Sequence, residues 1–247
     1  MAHTYLISDL HLSVKQPHVM RLFLHFMQHI APKADALYIL GDLFDYWAGD
    51  DDMDDPFHQQ VTHALHTAAS SGVHLFIMHG NRDFLMASKL ADTCQATLLD
   101  DPVLIDLYGT PVLVTHGDTL CADDIEYQSY RQLVRNPIWQ QKFMAQPLEN
   151  RKSLIEELRT HSESEKQQKS GALMDVTDAA VTELLRNHGY PHLVHGHTHR
   201  PMRHLHKVDN HECERWVLGD WHETGSALRC DANSCSLETF SCTEATS

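Results

Sequence analysis

Five short apolar runs, each closed by a polar, turn-forming cluster, constrain this chain more than any other feature. His3–Ser8 runs into Asp9-Leu10-His11, Ala36–Leu40 into Gly41-Asp42, and Val73–Met78 into His79-Gly80-Asn81-Arg82-Asp83. Pro111–Thr115 runs into His116-Gly117-Asp118, and His192–Val194 into His195-Gly196-His197-Thr198-His199. Runs of this length, rich in Val, Ile and Leu, read as buried strands. Between the first three, Val19, Leu22, Phe23, Phe26, Met27 and Ile30 recur at helical spacing after Pro17, as do Val61, Ala64, Leu65 and Ala68. Strand–helix alternation predicts an α/β layered fold, in which ligands bind just beyond the carboxyl ends of the strands. All five polar clusters occupy that position.

Residues 122–175 break the pattern. Helical propensity dominates over Tyr127–Arg135, Ile138–Ala145 and Arg151–Thr160, with Leu133, Val134, Ile138, Trp139, Phe143, Met144 and Leu148 as an apolar side. We read 122–175 as a helical insertion over the strand ends, and 1–121 with 176–247 as the core. Between residues 131 and 159 the insertion carries six Lys or Arg against three Glu, in a chain whose net charge is −15. The polar stretch Ser162–Lys169 is expected to be a loop. A helix over Asp175–His188 and strands over Arg203–Val208, Glu214–Leu218, Ser226–Arg229 and Ser236–Phe240 complete the reading.

The acidic balance argues against a long nucleic-acid footprint, which depends on Lys and Arg neutralising phosphates. A metal centre can still reverse the local field for one small phosphorylated substrate. The first residues lack a basic segment followed by an apolar one, so no secretory signal is expected. No apolar run approaches the ~18 residues of a spanning helix. The six cysteines form no C-x-x-C pair, four lie in the last 35 residues, and free thiols are expected.

Two adjacent divalent cations need a bridging carboxylate, further nitrogen and oxygen ligands, and an open position for water and substrate. Asp9 and His11 can both turn toward one ion, and Asp42 is the candidate bridge. Asn81 offers a neutral carbonyl oxygen, and His116, His197 and His199 offer imidazoles. Two ionised carboxylates and a bridging hydroxide leave two such ions with a small positive surplus, enough to hold a diphosphate reversibly. Each fragment alone also reads as simple turn chemistry; their joint placement at five strand ends does not. Asp45, Asp118 and His79 read as supporting or turn groups.

Asp9-x-His11, Gly41-Asp42-x-x-Asp45, Gly80-Asn81-x-Asp83, His116 and Gly196-His197-x-His199 together resemble the signature of calcineurin-like metallophosphoesterases. The resemblance implies a four-layer αββα sandwich with a helical lid insertion. It also implies that Asp9, His11, Asp42 and His199 hold one ion, and Asp42, Asn81, His116 and His197 the other. His195 precedes the motif and is not carried over as a ligand. Most of that superfamily has His where this chain has Arg82. An imidazole there can protonate a leaving group; a permanently charged guanidinium cannot, but it can clamp phosphate oxygens. That exchange suits cleavage of a diphosphate.

Longer stretches, Ala34–Phe44, Gly80–Leu85, His116–Cys121 and His195–Pro201, are similar to the branch of that family that hydrolyses UDP-2,3-diacylglucosamine in lipid A biosynthesis. This narrower resemblance covers about Thr4 to Phe240. It implies two Mn2+ ions, attack of an activated water on the α-phosphorus, and release of UMP and 2,3-diacylglucosamine 1-phosphate. Catalytic roles for Asn81 and Arg82 follow, with substrate contacts from Asn81, Arg82, Asp124, Ser162, Lys166, Lys169 and His197. Lys166 stands where that branch has Asn. The insertion would cover the acyl chains of a monomeric enzyme, peripheral on the cytoplasmic face of the inner membrane. Read from the residues alone, Asp124 also fits a helix cap, and Ser162 and Lys169 fit solvated positions. The alternative activity is that of another dinuclear-metal phosphodiesterase or phosphatase of the same superfamily. A protein-binding relic of such a site would be expected to have lost ligands, and none of the seven is missing.

Overall fold

Strands form where the apolar runs are, and the five that lead into the polar clusters each end one to three residues before a ligand candidate. In the computed structural model, which describes residues 2–166 and 175–242 (the backbone alone for 160–166), two sheets account for the strands. The first comprises β1 (His3–Ile7), β2 (Ala36–Leu40), β3 (His74–Met78), β4 (Ala96–Leu99), β10 (Gly225–Asp231) and β11 (Cys235–Phe240), in the order β11-β10-β1-β2-β3-β4. The second comprises β5 (Val103–Leu107), β6 (Thr110–Thr115), β7 (His192–His195), β8 (Met202–Val208) and β9 (His211–Val217), in the order β5-β6-β7-β9-β8. β1 to β4 run parallel, as do β6, β7 and β9; the pairs β1–β10, β10–β11, β5–β6 and β8–β9 are antiparallel. The register pairs Ile7 with Ile39, Leu40 with Met78, and Thr115 with His195. The ligand-bearing loops therefore leave their strands at matching heights.

Both faces of the parallel strands are buried, as crossover topology requires. On one face of the first sheet, Tyr5, Ile7, Leu37, Ile39, Leu75 and Ile77 pack with helices α1 (Pro17–His29), α2 (Pro56–Ser70) and α3 (Ser88–Cys94). On the other, Leu6, Tyr38, Leu40 and Met78 meet Val112, Val114, Val194 and Trp216 of the second sheet. Beyond that, Leu113, Leu193 and Cys213 pack under Val181 and Leu185. These last two belong to α7 (Asp178–Asn187), the helix on the outer side of the second sheet. The result is the expected αββα order. Helix starts follow local chemistry: Pro17 and Pro56 preset the first turn, and Asp55 accepts from the backbone N–H of Phe57.

Between β6 and β7 the chain leaves the sheets for α4 (Ile125–Val134), α5 (Pro137–Met144) and α6 (Leu148–Lys166). The last of these corrects an expectation. Ser162 to Lys166, expected in a loop, continue α6, because Ser-Glu-Ser-Glu-Lys is polar without containing a helix breaker. A second correction concerns thiols: Cys230 and Cys235 are disulfide-bonded, because the β10–β11 hairpin makes them directly opposed partners. Sequence patterning also does not reveal β4, β5 or α3, which are short and carry no ligand cluster. Among the described residues no helix is long and apolar enough to cross a membrane.

α6 is fastened to the core by charge. The Arg151 side chain is buried, donating to the Ala48 carbonyl, the Gln146 carbonyl and the Asp51 carboxylate. Lys152 pairs with Asp52 at 2.6 Å, and Arg159 with Asp45 at 2.7 Å. Truncating a buried, fully bonded arginine strands its partners. Arg151→Ala should therefore abolish slow hydrogen exchange in α6 while leaving β1, β2 and β6 protected, read by exchange mass spectrometry.

Candidate metal centre

Hydrogen bonds continue past the ends of the strands and hold the loops in register. Asp9 N–H donates to the Gly41 carbonyl at 3.1 Å, and His11 N–H to the Asp42 carbonyl at 2.9 Å. In the second sheet Gly196 N–H donates to the His116 carbonyl at 2.9 Å. The sheets are linked at the site, where His197 N–H donates to Asp9 Oδ2 at 2.9 Å. Asp83 fastens the Asn81 loop to the Asp42 loop: its carboxylate accepts from the N–H groups of Gly80 (2.8 Å), Asp42 (3.3 Å) and Phe44 (3.3 Å).

This scaffold holds side chains in conformations they would not choose. Asp9, His11, Asp42, His197 and His199 all have positive φ, between 48° and 67°. For a residue with a Cβ, that region costs roughly 1–2 kcal/mol. Such strain persists where surrounding structure over-determines it, and it concentrates at functional sites. Two glycines make room for the carboxylates. A Cβ on Gly80 would lie 2.0 Å from Asp42 Oδ1, and one on Gly196 would lie 2.3 Å from Asp9 Oδ2.

The seven predicted residues converge in two overlapping groups. In one, His199 Nε2 lies 3.3 Å from Asp9 Oδ1 and 3.4 Å from His11 Nε2, and His11 Nδ1 lies 3.7 Å from Asp42 Oδ2. In the other, Asn81 Oδ1 lies 2.9 Å from both His116 Nε2 and His197 Nδ1, with Asp42 Oδ1 3.8 Å from His116 Nε2. Asp42 stands between the groups. The geometry fits cations: Asp9 Oδ1 is buried with no hydrogen-bond partner, while Oδ2 accepts from Ser8 Oγ and His197 N–H. The nitrogen of His116 that faces away from the cluster, Nδ1, donates to the Leu40 carbonyl, as a metal-facing imidazole needs. His195, not expected as a ligand, points away: its Nδ1 donates to the Gly196 carbonyl and its Nε2 accepts from Arg215.

Buried carboxylates and imidazoles this close share protons when no cation is present. Burial alone pushes Asp9 up, but His199, His116 and His11 outweigh it and hold Asp9 well below the usual carboxylate range. Burial carries Asp42 up to about 7, against the pull of His116 and with added repulsion from Asp83 and Asp9. Burial lowers His116 and His199, yet Asp42 and Asp9 lift His116 to about 9, and Asp220 and Asp9 lift His199 to about 10.

The surroundings extend the site into a cavity of about 600 Å3. Asn81, His197 and His199 line it, and so do Phe84, Leu85, Trp139, Phe143, Ile155 and Leu158. Arginines 82, 131, 135, 159 and 200 also line it. Arg82 and Arg159 converge on Asp45, at 3.5 and 2.7 Å. Asp118 accepts from Tyr127 Oη (2.6 Å) and Arg131 Nε (2.7 Å), anchoring α4 beside His116 and His197. His79 supports its loop through the Met86 carbonyl at 2.7 Å. Asp124 lines the cavity and also caps α4, accepting from Tyr127 N–H at 3.1 Å. Ser162 and Lys166 lie on the α6 backbone, with side chains outside the described residues, as is Lys169 altogether. Of the apolar positions expected in the insertion, Val134, Trp139 and Phe143 line the cavity, whereas Leu133 and Ile138 are exposed. Sequence reasoning missed Asp220, Arg159, Tyr127 and Arg131. The basic excess over 131–159 was a signal for the two arginines, though not for which of its cations face inward.

The calcineurin-like phosphoesterase family model matches residues 2–201. The chain belongs to that family. It is 52% identical over 225 residues to a UDP-2,3-diacylglucosamine hydrolase from Aromatoleum aromaticum, covering 91% of each chain. Proteins of the same name from Cellvibrio japonicus (45%, covering 96% of this chain and 99% of that one) and Edwardsiella ictaluri (47%, 93% and 88%) are similar.

Folding raises the proton affinity of His116 and His199. Their contribution to stability is therefore complete below their ordinary 6.5 and is lost as pH rises through about 9 and 10. The raised Asp42 acts in the same direction, its contribution lost by about pH 7. Cations would replace these protons. The phosphoesterase stripped with chelator should lose thermal stability steadily from pH 6 to pH 10, and the rise in Tm on adding Mn2+ should grow over the same range. A Mn2+-induced rise that shrinks with pH would contradict the charge balance. Gly80→Ala, which forces a Cβ into Asp42, should lower Mn2+ affinity by more than tenfold in a calorimetric titration.

Proposed function

We propose that this chain hydrolyses UDP-2,3-diacylglucosamine to UMP and 2,3-diacylglucosamine 1-phosphate, with residues 122–175 acting as a lid over the acyl chains. The observation that carries this reading is the lining of the cavity, where ligand candidates, five arginines and a set of apolar side chains share one space. A phosphatase acting on a small polar monoester would have no use for the apolar lining. Relatives 45 to 52% identical over most of the chain are named UDP-2,3-diacylglucosamine hydrolases, which points to the same substrate.

On this reading Asp9, His11, Asp42 and His199 would hold one ion, and Asp42, Asn81, His116 and His197 the other. The two ions, Mn2+ in this proposal, would neutralise phosphoryl oxygens and lower the pKa of a water that attacks the α-phosphorus. Asp42 would serve both sites, because its Oδ2 faces His11 and its Oδ1 faces His116. Arg82, at the rim of the cluster, clamps the diphosphate oxygens and stabilises charge on the departing sugar phosphate, for which no proton donor is needed. Asn81 offers a carbonyl oxygen to the cluster and its amide to the substrate. Asp124, Ser162, Lys166, Lys169 and His197 complete the sugar-nucleotide contacts. Asp45 holds Arg82 and Arg159 together until phosphate oxygens compete for both. An acylated substrate places the protein on the cytoplasmic face of the inner membrane, and exposed Ile125, Leu133 and Ile138 suit such contact.

Hydrolysis in 18O-water tests the reading. With Mn2+ present the label should appear in UMP; label in the lipid phosphate would refute attack at the α-phosphorus, and absence of UMP release would refute the activity. Asp42→Ala should be inactive. Arg82→Ala should lower kcat by about 100-fold or more, in the range found for removing one transition-state donor. Arg82→Lys should recover little of that loss, because a point charge cannot form the fork.

A further inference from the structure

The segment after β9, Leu218 to His222, ties the ligand loops of both sheets together, and no motif in the sequence singled it out. Leu218 N–H donates to the His195 carbonyl at 2.8 Å, and Trp221 N–H donates to the Asp9 carbonyl at 3.3 Å. Between them, Asp220 Oδ2 lies 3.1 Å from His199 Nδ1 and 2.7 Å from His222 Nε2. Trp221 fixes the segment. Its ring is 1% exposed and meets Phe26 and Phe240 edge-on, and its Nε1–H donates to the Ser226 carbonyl at 3.0 Å.

His199 is the ligand candidate most in need of such help. Its side chain is 32% exposed, against 13% for His11 and none for His116, and its backbone is left-handed. His116 and Asp9 are oriented by buried partners in the sheets. For His199 the structure supplies one carboxylate, on the side of the ring opposite Asp9. With Nδ1–H given to Asp220, Nε2 is left as the lone-pair nitrogen, and it already points at Asp9 Oδ1 and His11 Nε2. A carboxylate behind an imidazole fixes ring and tautomer together and strengthens the outward nitrogen as a donor to a cation.

We propose that Asp220 is a positioning residue that makes the Asp9–His11–His199 ion site tight, leaving the Asn81–His116–His197 site independent of it. The inference rests on the two-ion reading above. Asp220 touches neither substrate nor ion; it acts through His199.

The test is a Mn2+ titration of chelator-stripped full-length protein followed by electron paramagnetic resonance. Wild type should take up two ions per chain, with the second converting the spectrum to that of a coupled pair. Asp220→Ala should bind one ion with unchanged affinity and the other about 10- to 100-fold more weakly. A mononuclear spectrum should then persist at Mn2+ concentrations that fill both wild-type sites. Asp220→Asn, which keeps an acceptor for Nδ1–H but not the charge, should fall between the two. His222→Gln, which removes the other partner of Asp220, should behave as wild type. Two tight ions in Asp220→Ala would overturn the proposal. Equal weakening of both ions would overturn it too, by showing a merely structural part. A wild type that never takes up a second ion would instead refute the two-ion reading, and the proposal with it.

Discussion

The hydrogen bonds from His197 N–H to Asp9 Oδ2 and from His116 Nδ1 to the Leu40 carbonyl join the loops of the two sheets, and the rest of the site depends on that junction. Each sheet on its own brings only part of a donor set to its edge. Asp9, His11, Asp42 and Asn81 come from the first sheet; His116, His197 and His199 come from the second. The facing layer of Leu6, Leu40, Met78, Val114 and Val194 sets the separation of the sheets. Gly80 and Gly196 let backbone approach carboxylate where any side chain would collide. Five left-handed residues are the local cost of turning every donor inward, and the buried layers beneath them hold that conformation in place.

A chain of net charge −15 builds a cavity lined by five arginines. The contrast is produced by partition. Asp51, Asp52 and Glu156 are spent fastening α6 and its neighbourhood to the core, and Asp118 fastens α4. Arg82 and Arg159 are held toward the cluster by the single carboxylate of Asp45. Long-range charge therefore says little about what the site attracts, whereas the local pairing says a good deal. The apolar lining of the same cavity comes in part from α5 and α6, whose Trp139, Phe143, Ile155 and Leu158 border it, the first three also packing on the core of the first sheet.

The convergence of the seven ligand candidates was legible in the sequence because strand ends are punctuated. A β-rich run followed by Asp-x-His or Gly-Asn-x-Asp places donors at a predictable height, and all seven donors came together where the runs end. Layer order was legible for the same reason. Less accessible were features that depend on what lies opposite in space. Asp220 sits in the irregular segment after β9 and gains meaning only through His199, 21 positions earlier in the chain. Cys230 and Cys235 face each other only because the hairpin register pairs them. The stretch beginning at Ser162 was misread because polar composition suits an exposed helix as well as a loop, and α6 runs on through Lys166.

The central claim is that two cations share Asp42 between donors from two sheets. Anomalous diffraction from crystals soaked in Mn2+ tests it most directly. The account predicts two peaks bridged by the Asp42 carboxylate, one beside Asp9, His11 and His199 and the other beside Asn81, His116 and His197. A single peak, or two that do not share Asp42, would contradict it.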